Sequence, residues 1–324
     1  MKKPPLEGPN FRDIKVNEVL AEVENACIHA PTDYYDAMWE LDDTSNHVLL
    51  PWGKTHGLFA MRPGEVILFG GYAGHNKSTI SEQVAVGAMR QGFNVGIASL
   101  ELREKKLLRN ICNHAAGTMR YTRGYAWQFV NWCNDKLHIY GPQGLMTPAI
   151  AIQMTIALAK LRGCQLIIID NLMTMGLDTE DRTGEKDFIN TLSSVARQFQ
   201  VSIILVHHVR KPDSSMGEKR IPNKYDFFGS SMIANLCHSI VVCWSDKEKK
   251  QAMQDGDEYD DSMPDQILSI VKQRDGEYEG KFGLWQSKTC RSFCPTPARK
   301  HNPMTFTNEV DDESLLAGKE QRTG

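Results

Sequence analysis

The ten residues GGYAGHNKST, Gly70 to Thr79, set a glycine-rich turn directly before a lysine and two hydroxyl side chains. Consecutive backbone N–H groups in such a turn can cradle phosphate oxygens at a helix N-terminus. The lysine adds charge, and the first hydroxyl can ligate Mg2+. The general spacing G-x-x-x-x-G-K-[ST] puts a glycine at position 76, where this chain has Asn76. Asparagine tolerates left-handed backbone angles better than most side chains do. Asn76 is therefore predicted to adopt the backbone shape that glycine usually supplies. Gly71, Tyr72, Ala73, Gly74, His75, Asn76, Lys77, Ser78 and Thr79 are the candidate phosphate-binding residues. On this stretch alone, a decayed relic and a chance match stay open beside a working site.

Further along, QLIIIDNL places Asp170 at the end of an apolar run, where an acid can hold Mg2+ together with Ser78. The plainer alternative is an aspartate capping a turn. Glu101, in VGIASLELREKK, ends another apolar run and could orient and deprotonate an attacking water. It could equally be an acid favoured at a helix N-terminus. His207 and His208 close VSIILVHH, either as a satisfied strand-end pair or with His208 facing a ligand.

These residues need a scaffold that brings strand ends together. EVILFGG, NVGIASLE, CQLIIID and VSIILVHH read as strands, separated by the helical stretches KSTISEQVAVGAMRQG, LREKKLLRNICNHAAG, AIAIQMTIALAKLRG and KDFINTLSSVARQFQ. Apolar strands alternating with helices predict an α/β fold: a mostly parallel sheet covered by helices on both faces. SIVVCW, QILSIVKQR and KFGLWQS then follow as antiparallel C-terminal strands with no helices expected between them. Apolar residues at Ile14, Val16, Val19, Leu20, Val23 and Cys27 mark a short N-terminal helix, set apart by a polar, aromatic connector. The expected domains are 1–48, helix and linker; 49–307, the main domain; and 308–324, an acidic, disordered tail.

A net charge of −3 gives no global basic field, so any nucleic-acid contact has to come from a local patch. The eight cysteines form no CxxC pair, which points to buried free thiols in a reducing compartment and away from a zinc site. The N-terminus MKKPPLEGPN has no apolar leader core, and no run reaches membrane-spanning length. The expectation is a cytoplasmic protein, in the host cytoplasm if it is phage-encoded, with no membrane partner.

Taken together, LLPWGKTHGLFAMRPGEVILFGG, the GHNKST turn, SLE at 99–101 and VKQRDG at 271–276 resemble the DnaB-type replicative DNA helicases. VHHVRKPD at 206–213 is closer in style to the helicase domain of short-tailed-phage primase-helicases and to mitochondrial Twinkle. The resemblance runs from about Leu49 to Trp285. It implies a RecA-like P-loop ATPase core using Mg2+ and ATP (or dTTP). It casts Glu101 as catalytic base and His208 as γ-phosphate sensor, with Arg274 and Lys272 reaching the γ-phosphate of a neighbouring subunit. It also implies a homo-hexameric ring gripped by the N-terminal docking helix, moving 5′ to 3′ on single-stranded DNA and unwinding duplex.

By the same resemblance, DNA contacts fall in two loops, one from Met173 to Lys186 and one from Arg210 to Ser230. Arg210, Lys211, Lys219, Arg220, Lys224, Gly229 and Ser230 are the DNA-binding candidates. As a composition, the second is a flexible basic segment able to neutralise phosphates, or simply a solvated loop. Phe228 stands where the family often has an arginine, and His238 where it commonly has an acid. No primase module is present, so a primase would be a separate chain; the tail, Glu309 to Leu316, is a candidate polymerase-docking or merely solubilising segment. Two other classes compete. One is a RecA-type recombination mediator forming filaments on DNA, which SLE and KQRDG argue against. The other is a replisome scaffold that binds nucleotide without turnover.

Overall fold

The structure is a computed structural model that describes residues 31–34, 43–141, 146–171, 182–210, 217–227 and 231–306. The chain divides into an amino-terminal unit, Met1–Asn46, and a main body, His47–Gly324. In the first unit, Pro31–Tyr34 forms a single 3-10 turn. The N-terminal helix expected from Ile14 onward and the tail after residue 307 lie outside the described residues.

In the main body, β1 (Val48–Leu49) and β2 (Ala60–Met61) form a two-stranded antiparallel ribbon ahead of the central sheet. The central sheet takes β3 (Val66–Gly71), β4 (Val95–Ser99), β5 (Leu137–Tyr140), β6 (Leu166–Asp170), β7 (Ser202–His208), β8 (Ser239–Ser245), β9 (Gln266–Gln273), β10 (Gly280–Gln286) and β11 (Phe293–Cys294). Their order is β11-β10-β9-β8-β3-β7-β6-β4-β5. Neighbours from β8 through β5 run parallel, and those from β8 through β11 antiparallel. The chain leaves β3 toward β4 on one side and later returns to β8 on the other. The carboxyl end of β3 therefore opens at a topological switch point, where open α/β sheets bind ligands.

Both faces of the sheet are covered, which is why its strands read as unbroken apolar runs. Ile67, Phe69, Ile97, Ile168, Ile204 and Val206 pack against α1 (Lys77–Arg90) and α2 (Glu104–Ala116). Their neighbours Val66, Leu68, Ile167, Ile169, Ile203 and Leu205 point the other way, into the core beneath α4 (Pro148–Arg162) and α5 (Arg182–Phe199). The ends of α4 are set locally. Thr147 caps it by accepting from the Ile150 amide at 3.3 Å, Pro148 opens it, and Gly163 closes it with a left-handed φ of 61°. The seven described cysteines are free and buried. Among the described residues no helix is long and apolar enough to cross a membrane.

The architecture departs from the expectation in three places. Between α2 and β5 stands a further helix, α3 (Arg123–Cys133), and β5 is a half-buried edge strand whose only cue is its pairing with β4. α5 begins at Arg182, so Lys186 lies on a helix and not in the loop expected to run from Met173. A nine-residue helix, α7 (Lys247–Asp255), separates β8 from β9, contrary to the expected run of bare strands. Its sequence KEKKQAMQD carries almost no apolar face. What starts and stops it is capping: the Asp246 carboxylate accepts from the Lys249 amide at 2.9 Å, and Gly256 ends it at φ 79°.

Gly70 is required by close approach. A Cβ there would overlap the ring of Phe227, which is buried, stacks on His207, and bridges back to Val209. Gly70→Ala should cost about 1–3 kcal/mol by overpacking. In chemical denaturation that cost should shrink when Phe227→Leu is added. Strictly additive costs would show that the ring is not the obstacle.

Candidate functional site

Asn76 immediately precedes α1 and has φ 60° and ψ 22°, the left-handed conformation expected of it. Gly74 is also left-handed, at φ 75°. The Asn76 carboxamide does more than tolerate this shape. Its Nδ2 donates to Ser245 Oγ on β8 at 2.7 Å and to Gln266 Oε1 on β9 at 3.0 Å. The turn is thereby tethered to the antiparallel half of the sheet.

Lys77 is buried and folded into the turn. Its ammonium donates to the carbonyls of Gly71 and Tyr72, each at 2.9 Å, and to His208 Nδ1 at 3.2 Å. Burial pulls its pKa below the ordinary lysine value, opposed by the charges of Asp170 and Glu101. The leading amides of α1 have no acceptor within the helix and open on the same space as the ammonium, as a phosphate site requires.

Gly74, Asn76, Lys77, Ser78, Thr79, Glu101, Asp170, Asn171 and His208 line one cavity of about 240 Å³. Sheet register explains the convergence. Ser99, two residues before Glu101, pairs with Asp170, and Gly71 pairs with His208, so all these groups leave the sheet at its carboxyl edge. Asn171, after a cis peptide bond from Asp170, donates from Nδ2 to Glu101 Oε1 and lies 3.2 Å from His208 Nε2. Burial pushes the Asp170 carboxyl up to about 6, with Glu101 adding to the rise and a Ser78 hydrogen bond and Lys77 opposing it. Burial, followed by the Lys77 and His207 charges, takes His208 down to about 4. Both ring nitrogens of His208 face donors, Lys77 Nζ at Nδ1 and Asn171 Nδ2 at Nε2, and a neutral imidazole accepts from only one of them.

Ser78 and the buried Asp170 carboxylate line the same cavity. Two hard oxygen donors beside a phosphate cradle fit Mg2+, which is commonly held by one or two carboxylates plus substrate phosphates.

The described part of the basic segment is not a free loop. Val209 bridges to Phe227, the Arg210 amide donates to the Asp226 carbonyl at 2.7 Å, and Arg220 pairs with the Asp226 carboxylate at 2.6 Å. Lys219 pairs with Glu248 at 2.5 Å, both largely exposed, and the Lys224 ammonium lies 5.5 Å from the centre of the exposed Tyr225 ring. Lys211, Gly229 and Ser230 lie outside the described residues. The 3-10 turn Gly217–Lys219 reaches the phosphate loop. Glu218 accepts from His75 Nε2 at 3.1 Å and pairs with Lys247, whose ammonium also lies 3.4 Å from the Ala73 carbonyl.

Lys272 and Arg274 are not in the cavity. β9 runs antiparallel to β8, so its Gln266 end meets the phosphate loop and its Gln273 end lies at the opposite edge of the sheet. There Lys272 donates to the carbonyls of Ala234, Asn235 and Cys237 at 2.7–2.9 Å, closing the end of α6 (Ser231–Leu236). The exposed Arg274 donates to the Asn235 carbonyl at 2.6 Å. Sequence reasoning missed Asn171, Ser245, Gln266, Glu218 and Lys247. Only Asn171, next to Asp170, carried any local cue. A larger, mostly apolar cavity of about 420 Å³ lies behind α1 between Trp52, Val86, Arg90 and Phe293, and none of the site residues lines it.

Fold and cavity together define a RecA-like α/β architecture with a candidate phosphate cradle at its switch point. A family model described as an AAA domain matches residues 56–214. The fold is that of the DnaB-like replicative helicases. A solved DnaB-like replicative helicase, studied with its interactions with primase, superposes with a TM-score of 0.66 at 16% identity, over 86% of this chain and 71% of that one. Another solved ATPase domain gives 0.65 at 15% identity, over 87% and 99%. A KaiC-like protein of the hyperthermophilic archaeon Pyrococcus horikoshii OT3 gives 0.53 at 15% identity, over 77% and 99%. Comparison with curated proteins yields no match.

Two outcomes follow from this geometry. Asn76→Gly should keep nucleotide binding, since glycine takes φ 60° freely, but lose about 1–2 kcal/mol of stability with its two tethers. Asn76→Val, β-branched at a positive φ, should abolish nucleotide binding, as read by titration with a fluorescent analogue. Asp170 binds its proton more tightly folded than unfolded. Its contribution to stability is therefore present below about pH 3.8 and is lost as pH rises through about 6. Asp170→Asn should therefore raise the unfolding free energy of the ligand-free protein at pH 7.5 by about 3 kcal/mol, with the gain fading below pH ~4. A gain that is independent of pH would contradict the assignment.

Proposed function

We propose that the chain is a replicative-type DNA helicase that hydrolyses ATP (or dTTP) with Mg2+ and translocates 5′ to 3′ on single-stranded DNA as a homo-hexamer. The observation that carries this reading is the convergence of Lys77, Ser78, Glu101, Asp170 and His208 on one cavity at the switch point, with a cationic segment docked on the same loop. Lys77 and the amides of α1 hold the phosphates. Ser78 and Asp170 would hold Mg2+, which neutralises phosphate charge when bound. Glu101 takes the proton of the attacking water, oriented by its hydrogen bond from Asn171. His208, on the Lys77 ammonium, is placed to report on the γ-phosphate. Arg210, Lys211, Lys219, Arg220, Lys224, Gly229 and Ser230 contact the DNA backbone without base preference.

Arg274 acts in trans. Its position on the edge opposite its own cavity supports this, because a neighbour stacked head to tail would bring that edge to the next subunit's nucleotide. Lys272, already committed to three carbonyls, holds the turn that presents Arg274. Residues 1–48 would grip the adjacent subunit, and the tail, 308–324, and a separate primase would link the ring to a replisome.

Unwinding of a forked duplex with ATP or dTTP tests the reading directly. Lys77→Ala and Glu101→Gln should each abolish it, and no unwinding by the wild-type protein with any nucleotide would sink the helicase assignment. Arg274→Ala and Lys77→Ala should each be inactive alone yet regain hydrolysis when mixed, since a mixed ring contains interfaces with both groups intact. Failure of mixing to restore turnover would put Arg274 outside the active site. Open filaments in place of closed rings by electron microscopy would favour the RecA-type recombination mediator.

A further inference from the structure

His75 is a buried imidazole inside the phosphate loop, between Gly74 and Asn76, and both its ring nitrogens are engaged. Nδ1 accepts from the Ser245 amide at 3.0 Å, so the proton of the neutral ring sits on Nε2 and is donated to Glu218 Oε2 at 3.1 Å. Burial holds its pKa below the ordinary histidine value, so the ring stays neutral with this tautomer near pH 7. Glu218 does not belong to the loop. It comes from the basic segment, where the next two residues are cations. The same 3-10 turn that sends the Glu218 carboxylate inward sends Lys219 outward, to an exposed partner on α7. The Glu218 carbonyl is held in turn by Trp244 Nε1 at 2.8 Å.

We propose that Glu218 is a positioning residue that couples the basic segment to the phosphate loop through its hydrogen bond to His75. The proposal rests on the reading that the segment binds single-stranded DNA and the loop binds nucleotide. An anion and a cation one residue apart in a single turn cannot be moved independently. A DNA phosphate that draws Lys219 from Glu248 displaces the backbone carrying Glu218. The displaced carboxylate takes His75 and Lys247 with it, and both touch the loop, His75 as part of its backbone and Lys247 through the Ala73 carbonyl. The contact also works in reverse. Phosphates that reshape the loop move His75 and, through Glu218, the turn bearing Lys219. Linkage requires the two effects to be equal in size.

The test measures that equality in the full chain. Affinity for a fluorescent oligo-dT is read by anisotropy with and without a non-hydrolysable ATP analogue and Mg2+. Analogue affinity is then read with and without oligo-dT. In the wild-type protein each ligand should change the other's affinity by the same factor, between about 5- and 150-fold. In Glu218→Ala, which leaves His75 no acceptor there, that factor should fall below about twofold in both directions, with the fold intact by circular dichroism. Glu218→Asp, which keeps the charge but shortens the reach, should show the same loss if the alanine variant folds poorly. Glu248→Gln, which removes only the exposed partner of Lys219, should keep the wild-type factor.

An alanine variant with the wild-type factor overturns the proposal. So does one that weakens both affinities while leaving their ratio unchanged, because that is the mark of a purely structural contact. A wild-type protein that binds both ligands without mutual effect overturns it too. A wild-type protein that binds neither ligand instead defeats the functional reading beneath it.

Discussion

The Lys77 ammonium and the Asp170 carboxylate are buried together at the end of a parallel sheet, and the rest of the molecule is arranged around that pair. Each charge is costly there. Burial works against both, lowering the lysine pKa and raising the aspartate pKa, while each charge partly offsets the other's penalty. The ammonium fills its remaining hydrogen bonds with the loop's own carbonyls and with His208. In the proposed function these are the partners that phosphate oxygens and a divalent cation would displace, and binding would then relieve buried charge.

Parallel strands carry this pair because they present all their carboxyl ends on one edge. Gly71, Ser99, Asp170 and His208 reach that edge from β3, β4, β6 and β7, four strands distant in sequence and adjacent in register. The antiparallel addition does the opposite. Once β9 turns back along β8, its carboxyl end, with Arg274 just beyond, is delivered to the far edge. A chain built this way has its cavity on one edge and the exposed Arg274 guanidinium on the other. In the proposed ring, the site is then completed only between subunits.

Much of this was legible in the sequence, for physical reasons that also explain what was not. The β3, β4, β6 and β7 runs are apolar throughout because both faces of those strands are covered. The residues that end them, Glu101, Asp170 and His208, stood out as polar punctuation. The left-handed Asn76 followed from what asparagine can do where glycine is usual. Illegible were features set by partners far away in the chain. α7 is held by caps and carries no apolar stripe, and β5 exists through its pairing with β4. Glu218 looked like one acid in a basic loop, and nothing nearby announced His75 as its partner across 143 positions of sequence. The three carbonyls that hold Lys272 come from residues 234–237, more than thirty positions away, and nothing beside the lysine announced them.

Asn76 itself illustrates why a departure from a motif can be constructive. A glycine at this position would give the turn its shape and nothing more. Asparagine gives the same shape and adds an amide that grips Ser245 and Gln266. Gln266 is the first residue of β9, and seven residues on, at the other end of that strand, stands Gln273, followed by Arg274. At about 3.4 Å per residue the strand spans ~24 Å, from the residue that grips this chain's phosphate loop to the guanidinium at the opposite edge. The strand is hydrogen-bonded on both sides, to β8 and to β10, which makes it one of the stiffer paths across the domain. The substituted motif position thus fastens the loop to the element that carries Arg274, a connection that a glycine, having no side chain, would not make.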